Sequence, residues 1–152
     1  MPSIEIICIG QIKPSDFSEM PFAVEGEDVL QSHRSPNPIF QADFDKLQGC
    51  IYHLGNPYLR DPDVKTCFFA SQLLTDYWKE EMVSFKPEYV PSVQRLLQEL
   101  LAASTEGKLL FTSDYQFGAN PHWYKRPVRL ETFWKRHDAK RLPINSLVQI
   151  VR

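Results

Sequence analysis

Glycine is scarce in this chain, with six in 152 residues against twelve prolines. That ratio implies rigid turns and a good deal of irregular backbone. There is no Gly-x-x-x-x-Gly-Lys-Ser/Thr loop, no Gly-x-Ser-x-Gly elbow and no His-Glu-x-x-His, so three common signatures of catalysis are missing. Cysteine is also sparse. Cys8, Cys50 and Cys67 are odd in number and lie in apolar surroundings, which predicts buried free thiols in a reducing compartment and argues against a disulfide framework. No apolar run approaches the roughly 18 residues of a membrane-spanning helix, and Met1 to Cys8 carries no basic leader. The expectation is a cytoplasmic protein with no membrane contact. Internal repeats and low-complexity tracts are absent as well.

What is present is an ordinary globular composition, 43% hydrophobic and 24% charged. The length predicts a single globular domain spanning 1–152, burying roughly 68–70% of the surface its unfolded chain exposes. Charge is distributed unevenly. Residues 121–152 hold eight Lys/Arg against two acids, a net of +6, and the first 120 residues hold nine basic and seventeen acidic groups, a net of −8. The whole-chain net of −2 hides this asymmetry, which suits either a basic surface for an anionic partner or an end that closes onto an acidic body.

Hydrophobic patterning predicts the elements. Ser3 to Ile9 reads as an inner strand buried on both faces. Phe22 to Val24 and Val29 to His33 flank Glu25-Gly26-Glu27-Asp28 like a hairpin. Gln41 to Gln48 reads as a short helix closed by Gly49, and Cys50 to Leu54 as a short strand. Asp61-Pro62-Asp63 reads as a helix start, followed by Val64, Cys67, Phe68, Ser71, Leu74, Trp78, Met82 and Phe85 at the spacing of one long helix face. After the turn Lys86 to Pro91, a second helix carries Val93, Leu96, Leu97, Leu100 and Leu101 opposite Gln94, Arg95, Gln98 and Glu99, and ends before Gly107. Lys108 to Thr112 reads as a strand, Val128 to His137 as a third helix with Leu130, Phe133 and Trp134 inward, and Leu147 to Val151 as a final strand. The fold expected is α/β or α+β, with one central sheet of about 4–6 strands and three helices packed against it.

The segment Asp114 to Pro127 joins a predicted strand to a predicted helix. At about 14 residues it exceeds the usual connection of roughly 2–6, and long ordered loops are often functional. Tyr115, Phe117, His122, Trp123 and Tyr124 precede Lys125 and Arg126 there. Stacking groups beside cations suit a protein hot spot or a nucleotide. Placed before a helix at Pro127, Lys125 and Arg126 would flank an anion-attracting N-terminus. Arg129 and Arg136, seven apart, share a face on a helix. Cys50 and His53 have a metal-ligand gap, but a strand would point them to opposite faces. His122 with Asp114 supplies the residue types for a small hydrolase or transferase without fixing their geometry.

The functional expectation is a non-catalytic binding protein that uses the aromatic and basic surface of residues 115–141. Its candidate residues are Tyr115, Phe117, His122, Trp123, Tyr124, Lys125, Arg126, Arg129 and Arg136. The partner expected is a protein or a second copy of the chain, with nucleic acid or a phosphorylated ligand as the alternative. No cofactor is implied.

Overall fold

The computed structural model describes residues 3–28, 48–55, 69–113, 122–144 and 146–152, with backbone alone for 122–125. Six strands form one mixed sheet: β1 (Ile4–Ile9), β2 (Val24–Asp28), β3 (Gly49–Leu54), β4 (Lys108–Ser113), β5 (His122–Arg129) and β6 (Ser146–Val151). Their order is β2-β3-β1-β4-β6-β5. All neighbours are antiparallel except β5 and β6, which are parallel. Among the described residues three helices pack around the sheet: α1 (Ala70–Leu73), α2 (Val90–Ala103) and α3 (Leu130–Asp138). This is an α+β architecture.

Every residue of β1 is buried, as expected of an isoleucine-rich inner strand. Ile4, Ile6 and Cys8 join the main core with Cys50, Tyr52, Leu54, Leu109, Phe111, Val148 and Ile150, while Ile7 joins Ile9, Ile51, Leu110 and Leu147 in a second cluster. The members of that second cluster all come from strands. α2 forms where its stripe predicts, with Pro91 in its first turn and Val93, Leu96, Leu97, Leu100 and Leu101 buried against the main core. Removing each of these side chains from water contributes roughly 1.5–3 kcal/mol. Ser104 ends the helix in an extended conformation. Its buried hydroxyl donates to the Ile9 carbonyl at 2.6 Å and accepts from the Lys108 N–H at 3.0 Å, tying the helix end to β1 and β4.

Four local expectations change. First, Glu25-Gly26-Glu27-Asp28 is no turn but most of β2. Gly26 lies beneath the Tyr52 ring, where a Cβ would come within 2.8 Å of Cε1, so close approach and not a bend demands this glycine. Second, β3 takes in Gly49, one residue ahead of the strand expected from Cys50. Third, the helix expected to run to Phe85 stops at Leu73, and Asp76–Glu80 is a separate 3₁₀ turn capped by Thr75. Leu74 pairs with Phe85 and Met82 with Pro143 in antiparallel bridges, and Glu81 takes a left-handed φ of 67°. Leu74 and Phe85 are buried in the main core and Trp78 packs partly buried against it, through a chain folded back on itself; tertiary pairing overrides local period.

Fourth, Val128 lies in β5 and not in the third helix. Arg126 is driven toward extended backbone by Pro127, and β-branched Val128 is buried opposite Ile150. Helix α3 therefore starts at Leu130. It buries Phe133 edge-on to Phe111 at 4.9 Å, and Leu130 and Trp134 pack partly buried against the core. The strand expected at Val29 to His33, the helix of Gln41 to Gln48 before its final residue, and the Asp61-Pro62-Asp63 cap lie outside the described residues.

Candidate functional site

The expected long loop is shorter than its sequence suggested, because β5 begins at His122. Asp114, Tyr115 and Phe117 lie outside the described residues. His122, Trp123, Tyr124 and Lys125 sit in β5, at the end of the sheet order. Facing β6, Tyr124 pairs with Val148 but the next pair is Val128 with Ile150. Lys125, Arg126 and Pro127 thus oppose Gln149 alone, a wide bulge at the sheet edge. Proline suits it, since Pro127 has no N–H to lose from the ladder. Bulges redirect side chains and recur beside functional sites.

Arg126 and Pro127 are exposed there, and exposed Arg129 ends the strand as the N-cap of α3. Lys125 and Arg126 therefore stand upstream of the helix N-terminus and do not flank it, which removes the expected anion site. Arg129 is extended, with φ −80° and ψ 160°, so it shares no helical face with Arg136, and Arg136 is half-buried. The structure brings Arg126 and Arg129 together on one edge strand and sets Arg136 apart.

Other cations of the basic segment have work inside the molecule. Lys140 donates from Nζ to Ser84 Oγ at 2.8 Å and sits 4.5 Å from the centre of the Tyr77 ring. Lys135 pairs with Glu131 one helical turn back at 3.0 Å. Arg152 forks over the end of α2, reaching the carbonyls of Leu101, Ala102 and Ser104.

His137, buried to 3% exposure, is the most confined imidazole among the described residues. Its Nε2 accepts the Phe85 N–H at 2.9 Å and Nδ1 faces Asp138 Oδ1 at 2.9 Å. The ring stacks on Phe85 and meets Trp134 edge-on. Burial holds its pKa below the usual 6.5, against the opposing pull of Asp138. With both nitrogens satisfied, it is a structural histidine.

A second polar feature escaped the sequence reading. Glu5, at 4% exposure, stands on the central strand with His53 Nδ1 at 3.6 Å from its carboxylate. Strand register sets His53 on one side of Glu5 and Thr112 on the other. The available signal was a carboxylate inside an isoleucine run, a placement that burial makes costly unless a partner answers it. His53 thereby points away from Cys50, which faces the main core, and the strand geometry separates the two residues considered for a metal.

Cys8 and Cys50 are cross-strand partners and free thiols. Burial pushes the Cys8 thiol up to about 12, and that of Cys50 to about 11 with Asp28 adding to it. Neither is poised as a nucleophile. Cys67 lies outside the described residues, as does Asp114 from the His122–Asp114 pair. Among the described residues no helix is long and apolar enough to cross a membrane. No protein-family model, curated protein or solved structure matches the chain.

Proposed function

We propose that this chain is a non-catalytic binding protein that engages a protein partner through the aromatic and basic surface within residues 115–141, with Arg126 and Arg129 at its centre. The observation that carries the reading is the bulge in β5, which releases Lys125, Arg126 and Pro127 from the ladder at the edge of the sheet. Exposed cations on an edge strand favour an acidic partner and speed its encounter. The buried imidazole of His137 and the high-pKa thiols support binding over catalysis, since each is occupied by packing.

The test is Arg126→Glu with Arg129→Glu in the full chain, checked for an unchanged circular dichroism spectrum. The wild type should retain an acidic protein that the reversed variant does not. Edge cations also serve simply to discourage strand-to-strand aggregation. Equal retention by wild type and variant, with the variant more prone to precipitate, would assign the charges to that protective task and end the binding proposal. Tight binding of a mixed-sequence oligonucleotide at about 50 mM salt that collapses at about 200 mM would transfer the surface to nucleic acid.

A further inference from the structure

We infer that the partner of the cationic edge is a second copy of this chain, which presents its opposite, acidic edge. The inference rests on the binding reading above and specifies its partner. Among the described residues the sheet ends in β2 on one side and β5 on the other. β2 reads Val-Glu-Gly-Glu-Asp and carries acids with no base; β5 reads His-Trp-Tyr-Lys-Arg-Pro-Val-Arg and carries bases with no acid. The charge asymmetry of the sequence becomes, in the fold, a sheet with edges of opposite sign.

The register supports a match. Glu27 pairs with Ile51 and Glu25 with His53, and Ile51 belongs to the second cluster with Leu147. Arg129 pairs with Val151, four residues beyond Leu147 and on the same face of β6 by strand alternation. Glu25, Glu27 and Arg129 are therefore on one face. Following the pairings across the sheet, β2 and β5 run in the same direction. A copy repeated beside the first thus lays its β2 parallel to β5, with its Glu25 and Glu27 on the face that carries Arg129. The bulge and Pro127 interrupt a continuous backbone ladder at this junction, so ion pairs carry the contact. Such an interface joins unlike patches and generates rings or open chains of subunits, not a closed twofold pair.

Sedimentation velocity on the full chain tests this across protein concentration, at about 20 mM and about 300 mM salt, where screening differs severalfold. The wild type should grow in size with concentration at the lower salt and dissociate at the higher. Glu25→Lys with Glu27→Lys gives a chain with two basic edges, and Arg126→Glu with Arg129→Glu a chain with two acidic edges. Each alone should associate at least tenfold more weakly than wild type, and an equimolar mixture should regain association. Should either reversed chain misfold, Glu25→Gln with Glu27→Gln and Arg126→Gln with Arg129→Gln replace them, and both should weaken association. A wild type that stays monomeric at the lower salt overturns the inference, as does loss of association in only one of the two variants. A monomeric wild type that still retains an acidic protein through Arg126 and Arg129 would leave the binding reading standing without this partner.

Discussion

The backbone N–H of Phe85 donates to Nε2 of His137 at 2.9 Å, which makes Nδ1 the protonated nitrogen that donates to Asp138. One hydrogen bond thus fixes the tautomer of a buried ring and pins the returning strand of the 74–85 excursion to α3. Protonating His137 would set two N–H groups face to face.

Stability should therefore depend on His137 in acid. Its folded-state pKa is lowered by burial, and the unfolded chain titrates near 6.5. The contribution is fully present above that value. Below it the unfolded chain takes up a proton that the folded protein does not, and stability falls by about 1.4 kcal/mol per pH unit until folded His137 itself titrates. Urea unfolding at several pH values between 7.5 and 4.5 should show this slope in the difference between the wild type and His137→Gln, where the other titrating groups cancel.

Arg152→Ala should lower the urea midpoint, with a loss of about 1–2 kcal/mol, by orphaning carbonyls at the negative end of α2. Arg152→Lys should restore only part of this, because an ammonium has no fork to span Leu101 and Ala102 together. An Ala variant as stable as the wild type would show the guanidinium contacts to be inert.

Gly26→Ala distinguishes a strand from a turn at that position. In an open turn the extra methyl would be near neutral; against Tyr52 Cε1 at 2.8 Å it should cost about 1–3 kcal/mol by overpacking. Tyr52 is held as well by its hydroxyl, which donates to Gln11 Oε1 and accepts from the Ser15 N–H, so the ring has little room to retreat.

In a Cys67→Ala background, Cys8 and Cys50 should resist a thiol-reactive probe at pH 8, since pKa values of about 12 and 11 leave almost no thiolate. Denaturant should release both thiols together. Labelling of either in the native protein would mean that β1 and β3 open locally.

The stretches that could be read in advance share one property: their local pattern and tertiary environment agree. The isoleucines of β1 and the leucine stripe of α2 are examples. The misread stretches depend on partners far along the chain. Gly26 is explained by Tyr52 and Met82 by Pro143, both outside a local window, and Leu74 by Phe85, which lies in the same stretch but meets it across a fold-back that helical spacing does not show. The candidate site was legible in residue type, as cations after aromatics, but not in form. A proline before Val128 fits a helix start as well as a strand bulge, and only pairing with β6 decides it.

The central position of β1 bears on how the chain reaches its fold. Ile4 lies against Leu54 on one side and Ser113 on the other, partners about fifty and about a hundred residues downstream. The most buried strand of the sheet is thus an early segment that must wait for late ones, and closing so long a loop is entropically unfavourable before any contact returns stability. On a ribosome, β1 would leave the exit tunnel well before β4 existed to cover it. Its isoleucine-rich run would stand exposed through that interval as an adhesive segment, and Glu5, the one charge in the strand, is placed to interrupt stacking of such segments between nascent chains.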